Sequence, residues 1–446
     1  MKKYDIVAIG GSIGGMVSTV TFRRYSPEKS ILLIRKENRA LVPCGIPYIF
    51  GTLGSTEKNL LPEEIYEKNK IEVMLDEVIE INTKNKTVYT KSGVDVGYEK
   101  LIIATGSRPT VPSIPGVDKK NIFTVKKDVS YLQQILSNLK DVDNLIIVGG
   151  GFIGVEFADE CKKSRDINVK IIELLPHCLM LAFDKDLCIA AENILQERGI
   201  EILTSEKVEA FIGNDTVKRV KLASGKELKA DAVILCIGVV PETTLVEKAG
   251  LSIGPTKSIQ VNRYMQTTDD SIFACGDCAE KISFFDSKPS NLKLGSIAGM
   301  EARIAGANLF GARRSNRGVI GVFSTSLGSR CFAVAGLTEN AARENGYNIV
   351  IGQAEAINRH PGMMPGARKL EVKLVFEKGT GVILGGQVYG AESGGELINV
   401  ISAFIQQRMT ANDIATFQMG THPALTSSPI VYQLTNAAEI AIKAMQ

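Results

Sequence analysis

Two glycine-rich turns are the strongest chemical signal in the sequence. The first, Gly10-Gly11-Ser12-Ile13-Gly14-Gly15, follows an apolar run at residues 4–9, and the second, Gly149-Gly150-Gly151-Phe152-Ile153-Gly154, follows residues 144–148. In a strand-turn-helix unit, the backbone N–H groups of such a turn and of the helix start hold a pyrophosphate. A single glycine turn can be a simple tight connection, but two copies in the same context predict two dinucleotide sites.

Charged residues near the ends of the next strands indicate which nucleotides fit. Glu173 stands about 20 residues after the second turn, the spacing at which a carboxylate binds a ribose 2′-hydroxyl. It favours NAD over NADP because it repels a 2′-phosphate. The first copy has Ser12 at its second glycine position and Arg35-Lys36-Glu37 after its strand. Its ribose carboxylate has therefore either moved to Glu37 or been lost.

Composition narrows the class of protein. The 446 residues are 44% hydrophobic, which suffices for the cores of two or three domains. With 52 Lys and Arg against 49 Asp and Glu and no long basic run, nucleic acid and anionic membranes are excluded as partners, and small molecules are expected. We expect neither a signal peptide nor a membrane helix, because no apolar run approaches about 18 residues. The expected location is the cytoplasm.

Cysteine and histidine are sparse, with eight and three copies. In a reducing compartment these cysteines do not form a disulfide framework. Cys275 and Cys278 have C-x-x-C spacing, but no group of residues has metal-ligand spacing with partners, so no metal site is predicted. By residue type alone, Cys44 is either a buried small hydrophobe or a reactive thiol.

Hydrophobic periodicity predicts the elements around these motifs. Helices are expected from the first turn to about Tyr25 and over residues 155–163, 395–407 and 428–444. Strands are expected at residues 30–34, 144–148, 168–172, 370–376 and 382–389. From about Gly321 onward, alternating strands followed by helices indicate a separate α+β domain.

Three further segments complete a family resemblance. They are residues 100–109 with Ala104-Thr105-Gly106, residues 232–241 with Gly238, and residues 271–277 with Gly276-Asp277. Together with the two glycine turns, they resemble the FAD-dependent pyridine nucleotide-disulfide oxidoreductase family. The resemblance implies an α/β fold with two Rossmann-like dinucleotide-binding domains and a C-terminal α+β dimerisation domain. The implied bounds are 1–112 with 254–320 for the FAD-binding domain, 113–253 for the NAD-binding domain and 321–446 for the dimerisation domain.

The resemblance also implies which residues hold the cofactors, FAD and NADH. For the first turn and its surroundings they are Gly10, Gly11, Ser12, Ile13, Gly14, Gly15, Arg35, Lys36, Glu37, Val78, Ala104, Thr105, Gly106, Gly276, Asp277 and Ala298. For the second they are Gly149, Gly151, Phe152, Ile153, Gly154, Glu156, Glu173 and Gly238. Glu156 matches a position that the family places near the nicotinamide and the flavin.

Within this family the redox thiol sets the chemistry. Members with an internal disulfide carry C-x-x-x-x-C, but here Ile49 stands where the second cysteine would be, so Cys44 works alone. The segment from Pro43 to Gly51 resembles the single-cysteine branch of coenzyme A disulfide reductases, persulfide or polysulfide reductases, and NADH oxidases and peroxidases. The oxidases and peroxidases carry a histidine where this sequence has Ile13, which favours reduction of a sulfur–sulfur bond.

The resemblance also suggests substrate and partner-subunit residues. Arg23 and Arg24 match an arginine pair that coenzyme A-linked relatives use, which makes coenzyme A an additional expected ligand; the alternative is a solvated helix end. Met363 and Met364 stand where those relatives carry tyrosines, and would form a soft wall for sulfane sulfur. His422 resembles a histidine that crosses the homodimer as an acid, although Ser427 replaces the glutamate that orients it. The alternative is a plain interface histidine.

The expected activity is reduction of a low-molecular-weight disulfide, persulfide or polysulfide by NADH through FAD and Cys44. Two alternatives remain open. One is an NADH oxidase. The other is a flavin diaphorase, or the NADH-oxidising subunit of a larger complex, that passes electrons to a protein acceptor.

Overall fold

The structure is a computed structural model that describes residues 1–446 of the chain. Its α-helices are α1 (Ile13–Tyr25), α2 (Glu64–Lys68), α3 (Val129–Asn138), α4 (Phe152–Lys163), α5 (Lys185–Glu197), α6 (Thr244–Lys248), α7 (Gly295–Asn308), α8 (Glu339–Glu344), α9 (Gly394–Gln406), α10 (Ala411–Ala415) and α11 (Gln433–Met445). Short 3₁₀ helices are Pro43–Gly45, Pro47–Phe50, Glu57–Asn59, Leu139–Asp141 and Pro429–Val431.

The strands fall into several sheets. They are β1 (Lys2–Ile9), β2 (Ile31–Arg35), β3 (Glu72–Leu75), β4 (Val78–Asn82), β5 (Thr87–Thr90), β6 (Asp95–Ile103), β7 (Ser107–Pro109), β8 (Ile122–Thr124), β9 (Asn144–Val148), β10 (Asn168–Ile172), β11 (Ile200–Leu203), β12 (Val208–Ile212), β13 (Arg219–Leu222), β14 (Glu227–Lys229), β15 (Ala232–Leu235), β16 (Val239–Pro241), β17 (Ile272–Ala274), β18 (Lys281–Ile282), β19 (Pro289–Ser290), β20 (Val322–Leu327), β21 (Arg330–Gly336), β22 (Ile349–Ile357), β23 (Lys369–Glu377) and β24 (Ile383–Gly390).

One compact unit comprises Met1–Pro112, Thr124–Lys140 and Ile237–Val319. Its main sheet has the order β3-β2-β1-β6-β5-β4, with β17 added beside β6. Strand β1 runs parallel to both β2 and β6, so the sheet centre is buried on both faces, as its apolar strand sequences predict. Helix α1 packs against α7, and both helices are rich in small residues at their contact.

The second compact unit comprises Ser113–Phe123, Asp141–Cys236 and Ile320–Gln446. It contains a five-stranded sheet of order β11-β10-β9-β15-β8, in which β9 is parallel to β10 and β15. A three-stranded antiparallel sheet, β12-β13-β14, accompanies it. The C-terminal part is a five-stranded antiparallel sheet, β20-β21-β24-β23-β22, covered by α9 and α11. The predicted α/β fold class is confirmed.

Most of the predicted elements agree with the structure within one or two residues, and two helix starts differ. Helix α4 begins at Phe152 rather than at residue 155, because the helix starts inside the glycine turn. The C-terminal helix begins at Gln433 rather than at residue 428. Pro429 opens a separate 3₁₀ turn, and Tyr432 is extended (φ −63°, ψ 123°), which interrupts the helical path.

No helix in the structure combines the length and the apolar character needed to cross a bilayer. The predicted domain bounds remain a prediction.

Candidate active site

The two glycine turns have the same local geometry. In each, the first glycine lies after the central strand and donates its N–H to the neighbouring strand: Gly10 to Ile34 O and Gly149 to Ile172 O, both at 2.8 Å. Their φ angles, +114° and +104°, are in the region that favours glycine. A Cβ atom on Gly15 would lie 1.8 Å from Gly10 O, so only glycine lets α1 start this close to β1.

Open space adjoins the backbone at three of the predicted cofactor-binding glycines. A Cβ atom on Gly106, Gly151 or Gly238 would meet no other atom within 4 Å. The Gly106 and Gly238 loops are joined through the β7–β16 pair and through Thr105, whose hydroxyl donates to Glu242 O at 2.7 Å. Such exposed backbone beside a helix start fits a dinucleotide pyrophosphate.

An ionised carboxylate stands beside the Gly276 turn. Asp277 accepts a hydrogen bond from the Ser107 hydroxyl at 2.7 Å and lies 3.4 Å from Lys127 Nζ. Although burial opposes its ionisation, the charge of Lys127 and the bond from Ser107 hold the pKa of Asp277 below its ordinary value. Ala298 lies directly beneath this turn, 3.5 Å from the Cβ position of Gly276.

The strand-end residues of the two folds differ in charge. Glu173 is buried and accepts hydrogen bonds from the N–H groups of Gly150 at 2.5 Å and Leu175 at 2.7 Å. In the first fold the equivalent residue, directly after Ile34, is Arg35, which is buried and paired with Glu63. Lys36 is exposed and Glu37 half-buried beyond it.

The first residues of α4 include an aromatic ring that packs against other rings and a carboxyl group whose pKa is raised. The Phe152 ring stacks on Phe323 at 4.9 Å between centroids and lies 5.8 Å from Phe183, so its side chain belongs to an aromatic cluster and only its backbone is free for a ligand. Ile153 is exposed. Glu156 accepts a hydrogen bond from the Thr325 hydroxyl at 2.8 Å, and burial raises its pKa to about 7.

Cys44 differs from every other cysteine in the chain. It lies on the 3₁₀ helix Pro43–Gly45 and is exposed, and none of the eight cysteines forms a disulfide. Burial raises the pKa of each of the other seven thiols. Cys44 is therefore the cysteine that solvent and a substrate can reach as a thiolate.

The first residue of α7 lies beside Cys44. A Cβ atom on Gly295 would be 3.6 Å from Cys44 Sγ and 3.1 Å from Ile13 Cδ1. Helix α7 has no acidic residue in its first turn, so the positive end of its dipole favours a thiolate there. The apolar Ile13 side chain and the Cys44 sulfur therefore both lie beside Gly295.

Arg23 makes extensive contacts within the fold, and its expected role in substrate binding stays a prediction. Its guanidinium donates to five backbone carbonyls, those of Ser26, Pro27, Lys29, Asn69 and Lys70, at 2.7 to 3.2 Å. Its charge therefore holds the end of α1 to two neighbouring loops. Arg24, the other member of the pair, is exposed.

A cluster of arginines that the sequence analysis missed lies around Tyr25. Arg313 and Arg314 stack on the Tyr25 ring at 4.9 and 5.7 Å, and Arg314 donates to the Tyr25 hydroxyl and to Arg303 O. No carboxylate pairs with these three arginines. The signal in the sequence was three arginines between residues 313 and 317, too few for the run of five that would indicate a basic segment. We call Arg303, Arg313 and Arg314 the arginine cluster.

The two segments expected to lie near the partner subunit come together in the structure. His360 donates its N–H to Pro423 O and makes a side-chain hydrogen bond with Thr426 O, both at 3.0 Å, which joins the loop of Met363 and Met364 to that of His422. His422 is exposed, and its Nδ1 accepts from Ala424 N–H at 3.2 Å. Ser427 is buried and bonded to Gln433, so it does not orient His422 as a glutamate would.

Two family models together cover nearly the whole chain. Residues 4–302 match the pyridine nucleotide-disulphide oxidoreductase model, and residues 322–430 match the dimerisation domain of the same family. The chain belongs to the pyridine nucleotide-disulphide oxidoreductase family.

Similar proteins in this family include reductases and oxidases. An NADH oxidase from Methanocaldococcus jannaschii is 30% identical over 98% of each chain. An NAD(P)H coenzyme A polysulfide/persulfide reductase from Pyrococcus horikoshii is 32% identical over 88% of each chain. The solved structure of an NAD-dependent persulfide reductase from A. fulgidus has a TM-score of 0.91 at 30% identity, covering 98% of this chain and 83% of that one.

Membership of the pyridine nucleotide-disulphide oxidoreductase family brings FAD and NAD(P)H as cofactors. The open backbone at Gly106 and Gly151, the glycines that let both helices start close to their strands, and the ionised Asp277 fit these two groups. The assignment of individual residues to each cofactor remains a prediction.

We expect the nucleotide preference of the second fold to depend on Glu173. We expect Glu173→Gln to raise KM for NADH by about tenfold, since a charge-assisted hydrogen bond is lost. KM for NADPH should rise less or fall, because the carboxylate no longer repels a 2′-phosphate. Steady-state kinetics with both nucleotides measure the ratio. An unchanged NADH-to-NADPH preference would contradict this role of Glu173.

Glu156 makes stability depend on pH. The half-buried Glu156 carboxyl, with its pKa raised to about 7, stays protonated below that pH in the folded protein, whereas in the unfolded chain it ionises near 4.5. Stability should therefore fall as pH rises from about 4.5 to 7. Glu156→Gln removes this cost, on the order of 2–3 kcal/mol above pH 7.

Thermal unfolding of the FAD-loaded protein at pH 5 and pH 8 measures this effect. The glutamine variant should unfold at a higher temperature than the wild type at pH 8, with little difference at pH 5. An equal shift at both pH values would show that ionisation of Glu156 is not the cause.

Proposed function

We propose that this protein is an FAD-dependent NADH oxidoreductase that reduces the sulfur–sulfur bond of a low-molecular-weight disulfide, persulfide or polysulfide through Cys44. The observation that carries the proposal is the exposure of Cys44 beside the start of α7, while the other seven thiols are held in their protonated form by burial. The similarity to the Pyrococcus polysulfide/persulfide reductase supports the same acceptor class. The proposed location is the cytoplasm, where such a thiol stays reduced.

Cys44 reacts as a nucleophile in this scheme. Its thiolate attacks one sulfur of the acceptor, a mixed disulfide or persulfide forms on Cys44, and the other sulfur leaves as a thiolate or sulfide. FAD, when bound, supplies two electrons that come from the hydride of NADH. Two electrons cleave the bond on Cys44, restore its thiolate and release the second sulfur product. No second cysteine closes an internal disulfide, because Ile49 occupies that position.

The leaving sulfur needs a proton, and we assign its delivery to His422 of the partner subunit in a homodimer. His422 keeps Nδ1 as an acceptor for Ala424 N–H, which leaves Nε2 as the proton-bearing atom. Exposed apolar side chains on the dimerisation domain support the homodimer. Met363 is 93% exposed, Leu425 70% and Ile430 85%, and such a set is usually covered by a partner.

The acceptor of this scheme carries an anionic group such as that of coenzyme A. Gly295 lies beside Cys44. A Cβ atom on Gly299, one turn along α7, would lie 3.7 Å from Ile13 Cγ2 and 3.2 Å from Arg303 Nη1. Helix α7 rises about 12 Å between Gly295 and Arg303. A flexible arm with a thiol at one end and phosphates at the other can lie along this glycine face, with its phosphates on the arginine cluster.

An NADH oxidase is the second candidate, favoured by the similarity to the Methanocaldococcus enzyme. Reduction of oxygen through a cysteine sulfenate needs a hydrogen-bond donor beside the sulfur, and the neighbouring Ile13 side chain has none. Ile13 therefore favours sulfur acceptors. A diaphorase that passes electrons to a protein acceptor would not require Cys44.

Steady-state oxidation of NADH with four separate acceptors tests the proposal. The acceptors are coenzyme A disulfide, coenzyme A persulfide, inorganic polysulfide and oxygen. We expect the highest kcat/KM with a coenzyme A-linked acceptor and slow turnover with oxygen. Turnover of oxygen that exceeds all three sulfur acceptors would establish the oxidase instead.

A further inference from the structure

The end of β2 carries an unusual residue for a nucleotide-binding fold. The hydrogen-bond register of the strands identifies this residue. Gly10 N–H bonds to Ile34 O just as Gly149 N–H bonds to Ile172 O. Arg35, which follows Ile34, is therefore the counterpart of Glu173, which follows Ile172. Both side chains lie against the second residue of the adjoining turn. A Cβ atom on Gly11 would be 2.5 Å from Arg35 Cδ, and one on Gly150 would be 3.0 Å from Glu173 Oε2. An arginine thus fills the position where a carboxylate normally meets a ribose.

A carboxylate from elsewhere in the chain is bound to this arginine. Arg35 Nη1 and Nη2 donate to the two oxygens of Glu63 at 2.8 and 2.7 Å, and Nη2 also donates to Asn38 O. The guanidinium lies over the ring of Tyr66, whose hydroxyl donates to Gly11 O at 3.2 Å. Glu63 is therefore connected to the first glycine turn through Arg35, which pairs with it, and through Tyr66, on whose ring Arg35 lies.

Burial and charge distinguish the roles of the two residues. The Arg35 side chain is 6% exposed, whereas that of Glu63 is 33% exposed. Arg35 Nε is buried without a hydrogen-bond acceptor, and a buried ion pair with an unsatisfied donor is costly, so stability alone does not explain the pair. A lone arginine at this position would attract a 2′-phosphate, but here it is paired with Glu63, which is one-third exposed and also lies 3.7 Å from Arg39 Nε.

We infer that Glu63 is the carboxylate that binds the adenosine ribose of FAD in the first fold, and that Arg35 is the residue that positions it. A ribose diol donates hydrogen bonds, and a carboxylate group accepts them. This assignment replaces Glu37, which lies two residues beyond the strand end. It concerns the affinity for FAD and does not depend on which acceptor the enzyme reduces.

Titration of the FAD-free protein with FAD, followed by quenching of flavin fluorescence, tests the assignment. Glu63→Gln should weaken FAD binding by about 10- to 100-fold, because charge-assisted hydrogen bonds are lost. Glu64→Gln, an exposed neighbour on α2, is the matched control and should keep the wild-type Kd. The Kd for NADH at the second fold should not change in either variant.

A double variant separates ribose binding from a purely structural role. Arg35→Glu combined with Glu63→Gln returns one carboxylate to the strand end, where Glu173 has it in the second fold. It should bind FAD within a few-fold of the wild type, and thermal unfolding confirms that each variant is folded. Wild-type affinity in the Glu63→Gln variant, or a double variant as weak as the single one, would overturn the inference. A loss confined to Glu37→Gln would return the role to Glu37.

Discussion

Replacing Cys44 with serine is expected to lower kcat/KM for disulfide or persulfide acceptors by about a thousandfold or more, the scale seen when a covalent nucleophile is removed. A serine hydroxyl is not ionised at neutral pH and cannot attack a sulfur–sulfur bond at a useful rate. The variant should still bind FAD and accept hydride from NADH, because Cys44 lies outside both glycine turns. Stopped-flow reduction of the flavin and steady-state acceptor turnover measure the two effects separately.

Cys331→Ala is a suitable control for this experiment. Cys331 is buried on β21, in the compact unit that does not contain Cys44, and burial raises the pKa of its thiol to about 11. We expect wild-type turnover in that variant. Full acceptor turnover in Cys44→Ser would instead show that electrons bypass the thiol, as they do in a diaphorase.

Neutralising the arginine cluster is the second prediction with a large effect. Arg303→Gln combined with Arg313→Gln should raise KM for a coenzyme A-linked acceptor by about a hundredfold, about tenfold for each charge-assisted phosphate contact. Turnover of 2-hydroxyethyl disulfide, an uncharged acceptor, should not change, because it reaches Cys44 without the phosphate contacts. Wild-type KM for the anionic acceptor should also rise with salt, whereas that of the variant should not.

Arg343→Gln serves as the control for the arginine variant. Arg343 lies exposed on α8, in the other compact unit, and pairs only with Glu339. Its replacement should leave both acceptors unaffected. An equal loss with the charged and uncharged acceptors would mean that the cluster supports the fold rather than the acceptor.

The fold and the local shape of the two glycine turns could be predicted because their requirements are local. A positive φ requires glycine at positions 10 and 149. Position 15 requires glycine because a Cβ atom there would lie only 1.8 Å from Gly10 O, and both requirements are visible in the sequence. The same reasoning does not reveal that Arg35 corresponds to Glu173. That correspondence depends on strand register, and the partner of Arg35, Glu63, lies 28 residues further along the chain, just before α2.

Side-chain roles on the surface were harder to predict than the fold. Arg23 and Arg24 are adjacent and chemically identical, yet only Arg24 faces solvent, because nearby carbonyl groups take up the Arg23 guanidinium. The arginine cluster could not be predicted because its residues meet through the fold, around Tyr25 and the carbonyl of Arg303, and do not form a run of charge in the sequence. The loop contact made by His360 was likewise invisible, since it joins segments about 60 residues apart.

In the proposed mechanism, electrons reach the acceptor through a covalent adduct on Cys44. The most direct measurement is mass spectrometry of the protein after mixing NADH-reduced enzyme with one equivalent of coenzyme A disulfide and quenching with acid. We predict a coenzyme A adduct on the peptide that contains Cys44, which forms on the timescale of turnover and disappears as the flavin is reoxidised. Reoxidation of the flavin at the turnover rate with Cys44 unmodified throughout would contradict the account.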